Sequence, residues 1–162
     1  MNKAYLLIGG NMGDRSAILS QATQLIEKRC GKLYVVSSIY ETAAWGPIQQ
    51  DPFLNQVIVI DTLLEPIVLM DTLLDIEKTM GRIRTVSMGP RIIDIDILYY
   101  NKECYQSPTL TIPHPRIQDR KFVLVPLVEI APELQHPILQ LTHYELLAQC
   151  SDNLAVHKKH PF

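Results

Sequence analysis

FLNQVIVIDTLLEPIVLMDTLLDIEKTMG, residues 53–81, places two structural periods back to back. From Phe53 the run is rich in β-branched residues and reads as a strand extending to Leu64. Glu65-Pro66 then opens a helix, with proline at an early position where its missing N–H costs nothing. Leu69, Leu73, Ile76 and Met80 form one apolar stripe, and Gly81 ends the helix. Towards the N-terminus, AAWGPIQQDP (43–52) is a loop punctuated by Pro and Gly, and KLYVVSSIYET (32–42) reads as one strand. Earlier still, AYLLIG (4–9) is a short buried strand and GGNMGD (9–14) a tight turn. Asp14 then caps a helix carrying Ile18, Ala22, Leu25 and Ile26 near one face. Towards the C-terminus, the basic loop RIRTVSMGP (82–90) leads into the strand of GPRIIDIDILYY (89–100). The order is β-α-β-β-α-β, the split βαβ or ferredoxin-like arrangement. It predicts an α+β fold whose antiparallel sheet carries packed helices on one face.

Beyond residue 100 the pattern is less regular. TLTIPHPR (109–116) is extended, and DRKFVLVPLVEIAPEL (119–134) is mainly helical with Pro126 interrupting it. Thr142 and Glu145 form a capping box for a last short helix, and the tail HKKHPF (157–162) is expected to fray. With no repeat or linker, residues 1–162 read as one domain.

A net charge of −2 supplies no field of one sign for nucleic acid or an anionic membrane. No apolar run reaches the ~18 residues of a membrane span, and the N-terminus lacks a signal-peptide layout. Cys30, Cys104 and Cys150 are scattered and odd in number, which suits reduced thiols in a cytoplasmic protein. A monomer is expected.

Asp94 and Asp96 are the anomaly. In a strand they share a face, while Ile93, Ile95 and Ile97 take the other. Two adjacent carboxylates repel unless a cation or basic groups compensate. A solvent-facing polar sheet face is one reading of the pair. A hard-cation site is the other, since paired carboxylates suit Mg²⁺ and leave room for substrate phosphates. Arg82, Arg84 and Arg91 nearby could hold phosphate with their planar forks, or could neutralise Asp94, Asp96 and Glu77 in an ion-pair network. There is no GxxxxGK[ST], so any nucleotide is bound by something other than a P-loop.

Taken in order, LLIGGNMGD, SSIYET with WG, FLN, GRIR, GPRIIDIDIL, IPHPR and DRKFVLVPLVEIAP resemble 6-hydroxymethyl-7,8-dihydropterin pyrophosphokinase, of folate biosynthesis. The resemblance spans essentially the whole chain. It implies transfer of pyrophosphate from ATP to the hydroxymethyl group of the pterin, releasing AMP. Asp94 and Asp96 would hold two Mg²⁺ ions, with Arg82 and Arg91 on the ATP phosphates and Arg84 assisting. Glu77 matches a position near the nucleotide, His114 and Arg120 match phosphate-contacting positions, and Thr111 and Ile97 match positions around the adenine. For the pterin, Phe53 and Phe122 match sandwiching aromatics, and Asn55 matches the side chain that reads the ring edge. Thr42, Ala43 and Trp45 match a strand end and loop that supply backbone contacts and a wall. Read without the resemblance, Phe53 and Phe122 are core aromatics and His114 is part of a rigid turn. Ser87 and Met88 depart from the basic residue and Trp that many members carry there, and Ala44 stands where proline is frequent. Two readings stay open beside this one: another Mg²⁺- and ATP-dependent kinase or nucleotidyltransferase, and a ferredoxin-like binding module without catalysis.

Overall fold

The computed structural model describes residues 1–44, 46–83 and 88–159. The expectations attached to Trp45, Arg84 and Ser87, and to the last three residues of the tail, lie outside them.

The centre of the sheet is β4 (Phe53–Thr62), which ends two residues before the expected Leu64. It pairs antiparallel with β1 (Asn2–Gly10) along the length of both strands. Its other edge is shared by β2 (Gly31–Val36) and β3 (Ile39–Thr42), and β5 (Asp94–Tyr100) pairs antiparallel with β1. The order β5-β1-β4-β3 is the split βαβ sheet that the sequence predicts. Because β4 is covered on both faces, its sequence is almost continuously apolar.

Helix α1 (Arg15–Arg29) and helix α2 (Pro66–Thr79) cover one face. Leu19, Ala22 and Ile26 of α1 meet Leu69, Leu73 and Ile76 of α2 over Ile8, Ile58 and Ile95 in one core. Arg29 adds an ion pair to Asp75 at 2.8 Å. The caps follow the sequence: the Ala17 N–H donates to Asp14 Oδ1 at 3.2 Å, and Gly81 leaves α2 at φ +96°.

The expectation of helices on one face is incomplete. Helix α3 (Lys121–Ile130) and helix α4 (His143–Gln149) cover the second face, where Val123, Leu124, Leu127 and Leu146 pack on Leu7, Val57 and Tyr99. Helix α3 runs through Pro126, which is buried within it. The expected capping box forms at Thr142 and Glu145.

Residues 32–42 are two strands, not one. Ser37 makes the break tolerable, because its hydroxyl accepts from the Val57 N–H at 2.9 Å and donates to the Ser38 carbonyl at 2.7 Å. Gly9 and Gly10 are strand residues, so the turn starts at Asn11. The tail also differs: Val156–Lys159 forms a strand paired with β3, against the expectation of a frayed end. A two-stranded ribbon, Tyr105–Gln106 with Thr111–Ile112, follows β5. Among the described residues no helix is long and apolar enough to cross a membrane.

Candidate active site

The site grows out of sheet register. Gly9 of β1 pairs with Asn55 of β4 on one side and Asp94 of β5 on the other, and Asn55 pairs in turn with Tyr40 of β3. One rung along, Leu7 lies between Val57 and Asp96. Since side chains alternate, these residues face the α3 side, while Ile95 and Ile97 face α1 and α2. Helix α3 covers only part of that face, and a cleft remains beside it.

Phe53, Phe122, Thr42, Ala43 and Asn55 line this first cleft above a floor that includes Leu7 and Gly9. Two apolar rings, a strand end and a buried amide suit a flat heteroaromatic ligand with donors and acceptors on its edge. The Thr42 hydroxyl is buried and has no hydrogen-bond partner among the described residues. Leaving it so costs about 1–3 kcal/mol, which a ligand's polar edge would recover. The Arg91 guanidinium sits 5.0 Å from the Phe53 ring centre and the Arg120 guanidinium 5.8 Å from that of Phe122, so each aromatic is backed by a cation.

A second, larger cleft opens between α2, β5 and the segment 108–115. Glu77, Ile97, Thr111 and His114 line it. The Arg116 N–H donates to His114 Nδ1 at 3.1 Å, so the neutral ring carries its proton on Nε2, available as a donor. Burial first, and then the Arg120 charge, lower the His114 pKa to about 4, which keeps it neutral. Asp94 and Asp96 line both clefts.

Asp94 accepts from Arg82 Nη1 at 2.6 Å and from Arg91 Nη1 at 3.2 Å. Arg82 also reaches Glu77 at 2.8 Å, and the other oxygen of Glu77 accepts the Ile95 N–H at 2.7 Å. Glu77 is 3% exposed, and burial raises its pKa against the pull of that N–H and of Arg82. The ion-pair network allowed by the sequence is therefore formed at Asp94. Asp96 accepts no hydrogen bond among the described residues, and burial together with the Asp94 charge pushes its pKa up to about 7. The charges of Arg120 and Arg82 offset this only in part, so a carboxylate facing two clefts favours a positive ligand.

The donor set fits a hard divalent cation. Among the described residues no group of three or more His, Cys, Asp or Glu side chains could hold a metal. A pair of carboxylates suffices for an ion that keeps waters and ligand phosphates in its other positions, and Asp94 retains lone pairs beyond those facing the arginines.

The sequence profile of the 7,8-dihydro-6-hydroxymethylpterin-pyrophosphokinase (HPPK) family matches residues 5–132. The chain belongs to that family. It is an enzyme of the pyrophosphokinase class, a transferase. A 2-amino-4-hydroxy-6-hydroxymethyldihydropteridine pyrophosphokinase of Methylorubrum extorquens is 43% identical over 135 residues, covering 83% of this chain and 85% of the relative. One from Bacillus subtilis is 42% identical, over 83% of this chain and 81% of its own. A Plasmodium falciparum HPPK-DHPS structure superposes with a TM-score of 0.76 at 20% identity, over 92% of this chain. This chain spans 43% of that longer protein, and the match shows the fold alone.

Nearly all the described HPPK site residues predicted from sequence line these two clefts. Arg82 differs, because it lines neither and bridges Glu77 and Asp94 from behind. Two floor residues, Leu7 and Gly9, were missed. The alternation of LLIGG was a signal for them, but read as a turn the glycines lost their face.

Proposed function

We propose that this chain transfers the pyrophosphoryl group of ATP to the primary hydroxyl of 6-hydroxymethyl-7,8-dihydropterin, with Asp94 and Asp96 holding two Mg²⁺ ions. One observation carries the reading: two clefts of different chemistry share those two carboxylates. The pterin fits the first, between Phe53 and Phe122, with Asn55 and Thr42 at its polar edge and Ala43 at the wall. ATP fits the second, its adenine near Ile97 and Thr111. Its phosphates run past His114 towards Arg91 and Arg120, with Arg84 assisting.

The hydroxyl oxygen bonds to the β-phosphorus in line with the bond that breaks, the one to the oxygen bridging the α- and β-phosphorus. AMP leaves with that electron pair, and the hydroxyl proton passes to solvent. Bound at Asp94 and Asp96, Mg²⁺ would offset the phosphate charge and align attacking and leaving oxygens. The protein's part is placement. Arg82 holds Asp94 in register with Glu77, Arg91 spans Phe53 and Asp94, and His114 offers a neutral N–H donor. The setting fits a cytoplasmic monomer with small-molecule substrates and no nucleic acid or membrane partner.

Incubation with ATP, Mg²⁺ and 6-hydroxymethyl-7,8-dihydropterin tests this. AMP formed in step with the pterin diphosphate is the expected result. ADP or free pyrophosphate as the product would replace this reading with a kinase or a nucleotidyltransferase.

A further inference from the structure

Gly9 is not required by its backbone. The glycines at positive φ are Gly13, Gly46 and Gly81, whereas Gly9 is an ordinary strand residue of β1. Glycine weakens a strand interior, so its presence there calls for a close neighbour. That neighbour is Asn55. A Cβ built on Gly9 would run into Asn55 Oδ1, and would lie 3.1 Å from Asn55 Cγ and 3.0 Å from the Leu54 carbonyl oxygen. The Asn55 amide therefore occupies the volume that any side chain at position 9 would claim. It lies over β1 in the cleft floor, leaning towards the strand that carries Asp94.

This placement sets the amide on the first cleft. Asn55 is 6% exposed, and its side-chain amide makes no hydrogen bond among the described residues. A methyl at position 9 would push the amide back towards Tyr40, its partner on the opposite side, and away from the carboxylates.

We propose that Gly9 is a positioning residue for pterin recognition: having no side chain, it lets the Asn55 amide lie across β1 in the floor of the first cleft. The inference rests on the reading of Asn55 as the group that meets the pterin edge. Adjacent strands are about 4.8 Å apart, so Asn55 and Asp94 stand about 10 Å apart across Gly9. That span suits a bicyclic ring read at one end and reacting through an arm at the other.

A double-mutant cycle over Gly9→Ala and Asn55→Ala tests the proposal, with KM for the pterin, KM for ATP and thermal melting read in all four proteins. Gly9→Ala should raise the pterin KM ~10- to 100-fold, the loss expected when one or two amide hydrogen bonds are misplaced. The ATP KM should stay within roughly threefold, because Gly9 lines only the first cleft. In the Asn55→Ala background, Gly9→Ala should add less than about threefold, since the displaced amide is already gone. Equal effects in both backgrounds, or parallel loss of ATP affinity, would overturn the proposal and assign Gly9 to the sheet. Should Gly9→Ala alone not fold, a folded double variant with the pterin KM of Asn55→Ala still supports it, and an unfolded double variant overturns it. An Asn55→Ala protein with unchanged pterin KM defeats the reading of Asn55, and this inference with it.

Discussion

Asp94 is gripped by two arginines, whereas Asp96, two residues along the same face of β5, accepts no hydrogen bond among the described residues. The pair is thus unequal before any ligand arrives. Asp94 is held in place, and Asp96, desolvated beside it, is the carboxylate left to attract positive charge.

That inequality predicts opposite effects on stability and turnover. The folded pKa of Asp96, about 7, lies above its unfolded value, so ionised Asp96 opposes folding. The penalty is absent below pH ~4, grows through pH 7 and is complete above it. Without metal, Asp96→Asn should melt a few degrees higher than wild type at pH 8 and level with it near pH 4, while its turnover falls at least ~10³-fold. A lower melting point at pH 8 would contradict this account of Asp96.

Thr42 offers a second separation. Thr42→Val keeps the shape and removes a buried hydroxyl that has no partner among the described residues, so unliganded stability should rise by about 1 kcal/mol. The pterin KM should rise about 2- to 10-fold, the worth of one neutral hydrogen bond. Urea melts and steady-state kinetics on one preparation read both. A destabilised variant with unchanged KM would mean that the hydroxyl serves the fold.

The two arginines on Asp94 should also part company. Arg82 is 13% exposed and bonds the buried Glu77, so Arg82→Ala strands a carboxylate and should cost roughly 3 kcal/mol of stability. Arg91 pairs with the more accessible Asp94 at 3.2 Å, so Arg91→Ala should leave stability within about 1 kcal/mol and act on turnover instead. Denaturant midpoints of the two variants decide it.

Outside the lining of both clefts, His143 should set an acid limit. It is fully buried, its Nδ1–H donates to the Ala131 carbonyl at 2.8 Å, and its Nε2 accepts from the Tyr99 hydroxyl at 2.9 Å. Burial lowers its pKa to about 4, so between pH ~6.5 and ~4 the unfolded chain binds the extra proton and stability falls with falling pH. The full loss is ~3 kcal/mol. His143→Gln should be less stable at pH 7 but should lose less between pH 7 and 4.5 than wild type does. Equal losses would contradict the assignment.

What the sequence made legible was local. The strand-helix-strand order, the Asp14 and Thr142 caps and the shared face of Asp94 and Asp96 all follow from periods and spacings within a few residues. What it hid was long-range. Val156–Lys159 carries His and Lys at an edge and is a strand only because β3 lies beside it. The break at Ser37 is held by Val57, twenty residues away. Helix α3 shows no polar stripe that would assign it to the second face. At the site, the division into a nucleotide set and a pterin set came with the family resemblance and matches the two clefts, except that Arg91 and Arg120, expected on the phosphates, line the first. Arg82 shows the limit: as an arginine beside a DxD it suits phosphate, yet its position in the fold ties it to Glu77.

The central claim is that Asp94 and Asp96 stand where the two clefts meet and hold the metals between the substrates. The most direct test is a crystal structure with 6-hydroxymethylpterin, a non-hydrolysable ATP analogue and Mn²⁺ in place of Mg²⁺, with anomalous scattering locating the metals. The account predicts two Mn²⁺ peaks on Asp94 and Asp96, the pterin between Phe53 and Phe122, and its hydroxyl about 3–3.5 Å from the β-phosphorus. Metal bound elsewhere, or both ligands seated with the hydroxyl remote from the β-phosphorus, would contradict it.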